Sequence, residues 1–474
     1  MSESNEKLFA TKFMLLKPEK MGFFQLFQVL FGRDIEEKDF VQCLEVIIEP
    51  RSYQKWLLFL SLLVQKLLYS TADILQCFGD IVESFLNPKA SYNYNVFMLV
   101  FNRIQGKQVV NKDSINYLSM IGHMDKRVRL LDKSIKYEDP NKYNVALSMM
   151  ASKVSYENKA FVHAIVVDHW KMELIDCRDY WNDYQDKATT QAFIMLEKGE
   201  DHDTYVVAFR GTEPFDADAW STDFDISWFE LPDIGRTHAG FMKALGLQLE
   251  LKNNVVGWPK QIETDENRPR AYYSIRDLLK KHLKLKGNEN AKFTLTGHSL
   301  GGALAILFPA ILMLHEETFL LERLEGVYTF GQPRVGDGTF ANYMEQNLKH
   351  YCIKYLRFVY GNDIVTRLPF DNNIMKFDHF GTCLYYDRSY KGKKMEDEPN
   401  KNYFSWKDMI PMWVNAFMEL VRSFTIVYKY GPEYQEGWVI RFYRLVGLIF
   451  PGIPAHCPQD YVNVTWLGLP SYLD

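Results

Sequence analysis

Phe293-Thr294-Leu295-Thr296-Gly297-His298-Ser299-Leu300-Gly301-Gly302-Ala303-Leu304-Ala305 reads as a strand, a sharp turn and a helix in immediate succession. Its centre, Gly297-His298-Ser299-Leu300-Gly301, fits the G-x-S-x-G pattern of a nucleophile elbow. A serine on such a turn has a strained backbone and a helix packed close behind it, so its neighbours must be small. Gly297, Gly301 and Gly302 supply that room. The turn lifts the Ser299 hydroxyl to the top of a sheet, with a helix N-terminus behind it to favour developing negative charge.

A serine hydroxyl needs a base, and the base needs an orienting acid. In this architecture the chain order is serine, then acid, then histidine. Asp363, in Gly361-Asn362-Asp363-Ile364-Val365, directly follows the strand-like run Tyr355–Tyr360, where a strand end presents a catalytic side chain; Asp337 is the second choice. Of eleven histidines only His379 and His456 come after Asp363. His379 opens the strand-like FGTCLYY rather than ending it, and little chain separates it from Asp363, so His456 is the preferred base. His298, inside the elbow, is read as packing beside the nucleophile. The oxyanion needs backbone donors. Leu300 offers one N–H, and the loop Arg210-Gly211-Thr212-Glu213-Pro214 after the strand-like YVVAF offers another at Thr212, with its hydroxyl in addition.

Around these motifs, short β-rich runs (Tyr205–Phe209, Phe293–Thr296, Val327–Phe330, Tyr355–Tyr360) alternate with helical ones. That alternation predicts an α/β fold with a mostly parallel central sheet and flanking helices over residues 136–474. Residues 1–135 are helical in character and hold an apolar segment at about 53–87. From Trp56 to Ala72 its only charge is Lys66. The uncharged run is short of the ~20 residues of a membrane span. A buried helix, a monotopic insertion and a marginal span all remain open on composition alone.

Trp220, Phe224 and Trp228 recur at four-residue intervals after the oxyanion loop, which would place them on one helix face with Asp216, Asp218, Asp223 and Asp225 largely elsewhere. Such a helix, at about 215–228, is either a lid over an apolar cleft or a fixed core helix. An aromatic-rich segment at about 403–450 interrupts the α/β rhythm.

Composition narrows the function classes. The 474 residues are 47% hydrophobic, 15% aromatic and 24% charged, with net charge −5, so a folded protein is expected and electrostatic binding of nucleic acid is not. Six cysteines (Cys43, Cys77, Cys177, Cys352, Cys383, Cys457) show no metal-ligand spacing and read as reduced thiols. The polar start MSESNEKLFATKF lacks the apolar core of a secretory signal, so the cytosolic side of a membrane is the expected address and Asn463-Val464-Thr465 is read as a chance glycosylation match.

Taken together, VVAFRGTEP, His238-Ala239-Gly240-Phe241, FTLTGHSLGGALA, YTFGQPRVG and GNDIVTRLP resemble the class 3 (fungal and plant) lipase family from about Asn144 to the C-terminus. FDADAWSTDFDISW, HFGTCLYY, Asp397–Phe404, PGIPAHCPQDYVN and the early KFMLLKPEK resemble, more particularly, plant oil-body triacylglycerol lipases, nearly end to end. The resemblance implies an α/β-hydrolase fold and a Ser299–Asp363–His456 triad. It also implies oxyanion donors at Thr212 and Leu300, a lid at about 215–228, and no metal or cofactor. It implies a lipid substrate at a lipid-droplet or membrane surface on its cytosolic face, which favours monotopic insertion of Trp56–Ala72. A phospholipase A1 or galactolipase would use the same machinery, and a catalytically silent lipid-binding scaffold is the alternative from another class. Thr366 departs from the family pattern, where proline commonly follows the acid in D-x-V-P; the change should alter loop stiffness rather than chemistry.

Overall fold

Eight strands, numbered β1–β8 in chain order, form the central sheet: Glu173–Asn182, Lys187–Glu197, Thr204–Phe209, Lys292–His298, Leu324–Phe330, Lys354–Tyr360, Thr382–Tyr386 and Gly392–Met395. Their spatial order follows the chain, and β3 to β7 are mutually parallel while β1, β2 and β8 join antiparallel at the edges. The chain is described here by a computed structural model covering residues 8–10, 12–31, 40–44, 52–92, 111–132, 134–183, 185–251, 255–263, 265–370, 377–401, 403 and 406–468. Of the motifs quoted above, residues 1–7, Thr11, Asn402 and Phe404 lie outside these.

Strand β4 shows why the sheet is covered on both faces. Phe293 and Leu295 point into one apolar layer, while Thr294 and Thr296 point to the other side. The helices used below are α1 (Phe23–Phe31), α2 (Ser52–Tyr92), α3 (Pro140–Val154), α4 (Ala217–Phe224), α5 (Ala271–Leu283), α6 (Leu300–Leu314), α7 (Gly338–His350), α8 (Trp406–Tyr430), α9 (Trp438–Val446) and α10 (Pro458–Leu467). Helices α5 and α6 share the core with Phe293 and Leu295, and α3 and α10 build the opposite layer. The Thr296 hydroxyl meets Ser152 Oγ of α3 at 2.8 Å, so this polar strand position is satisfied inside the layer. Helix α6, LGGALAILFPAILML, is apolar on all sides because it lies wholly inside; every residue from Gly301 to Leu314 is buried. Asn463 is buried in α10 and hydrogen-bonded to Tyr390 and Arg127, so the apparent sequon is a core element. Cys77, Cys177, Cys352, Cys383 and Cys457 are free.

The N-terminal residues are woven into the rest. The strand Lys12–Leu16 pairs antiparallel with Trp228–Leu231, in a six-stranded second sheet that also holds Val41–Leu44, Gly235–His238, Gly336–Asp337 and Phe377–Asp378. Helix α2 runs 41 residues, and within it Leu58–Asn87 has the length and composition of a membrane span, with mean hydropathy 1.4. Only 28% of its apolar window is buried, so it is no ordinary core helix. It packs along α4, where Ser61 Oγ donates to the Phe224 carbonyl at 2.8 Å and Phe78 meets Phe215 edge-on.

Candidate active site

Ser299 sits between β4 and α6 with φ +59° and ψ −133°, a conformation that non-glycine residues rarely adopt and that a sharp strand-to-helix turn imposes. The glycines around it are there for close approach. A Cβ on Gly297 would stand 2.1 Å from the Gly301 carbonyl, and one on Gly301 would stand 2.2 Å from the Phe209 carbonyl oxygen. Larger residues would push α6 off the sheet.

His456 ends a one-turn helix at Pro454–His456, and its Nε2 lies 2.8 Å from Ser299 Oγ. Its Nδ1 lies 2.8 Å from Asp363 Oδ2. Asp363 follows β6, and its other oxygen accepts from the Val365 N–H at 2.8 Å. The three residues are thus brought together from 93 and 157 positions apart in the chain. The alternatives are engaged elsewhere. His379 contacts the Thr366 carbonyl at 2.6 Å and the buried Arg357–Glu398 pair. Asp337 caps α7 by accepting from Phe340 N–H at 2.9 Å.

Several further residues support the triad. Tyr461 donates its hydroxyl to Asp363 Oδ2 at 2.5 Å. Burial and the adjacent carboxylate push its pKa well above the phenol range, so it remains a donor. His298 bridges Tyr156 Oη at 2.8 Å and the His456 backbone carbonyl at 2.9 Å, holding the base's main chain. Burial first, and then the neighbouring His456 charge, drive the His298 pKa well down, which keeps it neutral. Gly331, at φ +60°, lies so near the acid–histidine contact that a Cβ would sit 2.9 Å from both Asp363 Oδ2 and His456 Cε1. Thr366 donates its hydroxyl to the Asp363 carbonyl at 3.0 Å. Of these, the sequence singles out His298 and Thr366 but not Tyr461 or Gly331.

Thr212 is buried after β3, and Leu300 opens α6, where its N–H has no acceptor within the helix. Thr212, His456, Trp220, Phe224, Val365 and Tyr443 are among the residues around an apolar cavity of about 260 Å³. The α4 helix therefore forms one wall of the cavity that His456 also lines.

One expectation about this helix needs correction. Trp228 does not share its face: α4 ends at Phe224, and Trp228 begins the strand Trp228–Leu231, buried with Arg236 stacked 4.2 Å over its ring. The cause is local, since Asp225 Oδ1 accepts from both the N–H and hydroxyl of Ser227 and turns the chain out of the helix. Of the four acids, Asp223 and Asp225 are fully buried. Asp223 Oδ2 accepts from Thr212 Oγ1 at 3.2 Å, and its Oδ1 has no hydrogen-bonding partner among the described residues.

Burial pushes the Asp223 pKa up to about 7, against the opposing pull of His456 and the Thr212 hydroxyl. A folded-state pKa above the unfolded value of 3.8 means that the folded form binds the extra proton. Stability from this site is full below pH ~4 and declines as pH rises towards ~7. Asp223→Asn keeps an acceptor for Thr212 without the titration. Its melting temperature relative to wild type should therefore climb as pH rises from 5 to 8; parallel profiles would refute the assignment.

Residues 206–373 match the family described as Lipase (class 3). The chain is 41% identical to the triacylglycerol lipase OBL1 of Nicotiana tabacum, over 87% of this chain and 83% of that protein. It is 38% identical to the triacylglycerol lipase OBL1 of Arabidopsis thaliana, over 97% of this chain and 95% of that protein. A lipase of Rhizomucor miehei is 32% identical over 37% of this chain and 40% of that one.

Proposed function

The chain belongs to the class 3 lipase family and is a carboxylic ester hydrolase, and from that premise we propose that it hydrolyses triacylglycerols at the cytosolic surface of lipid droplets, with Ser299 as nucleophile. The observation that carries this reading is the unbroken chain Ser299–His456–Asp363, two contacts of 2.8 Å, beside an apolar cavity.

Ser299 Oγ attacks the ester carbonyl as its proton passes to His456 Nε2. Asp363 holds the proton on Nδ1, so that Nε2 presents its lone pair to the serine, and stabilises the imidazolium once formed. Charge on the carbonyl oxygen is met by the Leu300 and Thr212 N–H groups, while the Thr212 hydroxyl is engaged with Asp223. The imidazolium then protonates the departing glycerol oxygen, leaving an acyl-serine. Water, deprotonated by His456, attacks that ester and releases the fatty acid, restoring Ser299.

Helix α4 acts as the lid in this reading, with Trp220 and Phe224 over the cavity. Lifting it requires release from α2, which holds it through Ser61 and Phe78. The exposed apolar surface of α2, including Trp56, Leu60 and Leu67, supports its shallow insertion in lipid, and transfer of α2 into lipid would loosen the contact that keeps the lid down.

Fatty-acid release from separate emulsions of triacylglycerol, phosphatidylcholine and galactolipid tests the substrate. Turnover of triacylglycerol above the other two is expected. Hydrolysis confined to the phospholipid or galactolipid would overturn the choice of substrate while leaving the serine chemistry in place.

A further inference from the structure

Helices α8 and α9 are built inside out. From Ile410 to Tyr428 every exposed position of α8 is uncharged, and large side chains dominate: Ile410, Trp413, Phe417, Val421, Phe424 and Tyr428. On α9 the exposed Trp438, Phe442 and Leu445 continue the surface, which runs on through Leu448–Phe450. Within that stretch of α8, and at Arg444 of α9, the charges are turned inward instead. Arg422 and Arg444 reach Asp460 of α10 at 2.7 and 3.2 Å, and Arg444 also forks onto Glu436 at 2.6 Å. Glu419 is buried beside Tyr360 and Arg444. A helix packed on a protein core in water shows the reverse polarity.

We propose that this outer face of α8 and α9 is the surface through which the protein rests on a phospholipid-coated lipid monolayer, holding the catalytic cavity against it. The proposal rests on the reading that the substrate lies at a lipid surface, and it names which part of the protein meets that surface. Three features fix the occupant as lipid. First, the face is continuous with the cavity, since Tyr443 of α9 and Ile453 just beyond it line the space in front of His456. Second, the exposed Lys407 and Lys429 bracket the apolar stretch of α8, where their ammonium groups can rise to phospholipid headgroups when the helix lies flat. In a two-fold dimer through α8, lysine would meet lysine, whether the helices paired parallel or antiparallel. Third, the inner ions tie both helices to Asp460, four residues from His456, so the docking surface and the catalytic base move as one body.

Helix α2, the apolar segment conspicuous in the sequence, is less suited to carry docking alone. Its outer face mixes Trp56, Leu60, Leu67 and Phe78 with the exposed Ser70, Asp73, Gln76 and Ser84.

The test uses the full chain and triolein droplets coated with phosphatidylcholine and phosphatidylserine, with protein partition measured by flotation. Phe417→Glu/Phe424→Glu and, separately, Trp438→Glu/Phe442→Glu should each lower the partition coefficient at least about tenfold, since each removes two large apolar side chains from the lipid contact. Hydrolysis of a soluble short-chain ester should stay within about twofold of wild type, showing that the site is intact. Unchanged partition by both pairs would overturn the proposal. So would a wild-type dimer that the substitutions convert to monomers without loss of partition, because a second copy would then be the occupant.

A conservative pair guards against misfolding. With brominated phosphatidylcholine in the coat, tryptophan quenching should fall in Trp413→Phe/Trp438→Phe, and quenching equal to wild type contradicts the proposal. Partition and quenching need no turnover. A protein that binds through this face without hydrolysing triacylglycerol would therefore refute the substrate and not the surface, and the converse result would refute the surface and not the substrate.

Discussion

Asp363→Asn should lower kcat on a soluble ester by about 10⁴-fold, close to 5 kcal/mol of transition-state stabilisation, with KM little changed. Among the described residues, the carboxylate is the one group that hydrogen-bonds His456 Nδ1, at 2.8 Å. It is also held in place from two directions, by the Tyr461 hydroxyl and the Val365 N–H. In the asparagine variant the Val365 N–H keeps the amide oxygen at the Oδ1 position, which leaves the NH₂ at the Oδ2 position, facing Nδ1, with the Tyr461 hydroxyl turned to accept from it. An N–H pointing at Nδ1 selects the tautomer protonated on Nε2, and that nitrogen can no longer accept the Ser299 proton. Because shape and packing are nearly conserved, the variant should keep its melting temperature and lose only turnover. A fall below tenfold would mean that His456 is oriented by something other than Asp363. Tyr461→Phe provides the graded control, a smaller loss in kcat, because one of the two oxygen-holding donors goes while the carboxylate stays.

The second large effect is on stability. Arg444→Met should destabilise the protein by about 3–5 kcal/mol, because removing one partner leaves buried charge uncompensated. Arg444 makes paired contacts with Glu436 at 2.6 Å and with Asp460 at 3.2 Å, all of them within the protein interior. Burial alone would raise the Asp460 pKa; Arg444 and Arg422 outweigh it and hold that carboxyl below its usual value. The sign for a depressed acid is that its stabilisation is present above the unfolded pKa and is lost as pH falls through the folded one. The variant should therefore lose part of the acid sensitivity of the wild type along with its stability. Thermal or denaturant unfolding checks both. Arg444→Met/Glu436→Met should recover part of the loss, because the second substitution removes one of the stranded charges. Wild-type stability in the single variant would show that the cluster contributes nothing net.

What could be read in advance followed from range in sequence. The elbow is local: a β-rich run, glycines at fixed offsets and an apolar helix lie within Phe293–Leu314, so its strand–turn–helix course needs no distant partner. Asp363 and His456 were reachable because chain order and the position of β6 limit the choices. Tyr461, Gly331 and the His298 bridge were not, since each is defined by a neighbour far along the chain. The aromatic spacing that put Trp228 on a helix failed at Asp225–Ser227, where side-chain hydrogen bonds end the helix early. The apolar pattern of 403–450 was visible, but its meaning lay in the ions on the hidden side, drawn from residues 419, 422, 436, 444 and 460. Likewise, nothing in Lys12–Leu16 says that its partner strand begins at Trp228.

The central claim is that Ser299 carries the acyl group, and covalent labelling tests it most directly. Wild-type protein treated with a p-nitrophenyl dialkyl phosphate should take up one phosphoryl group per chain on the peptide containing Ser299. Ester hydrolysis should fall in proportion to uptake, and Ser299→Ala should take up none. Stoichiometric labelling of another residue, or undiminished hydrolysis by the alanine variant, would contradict the account.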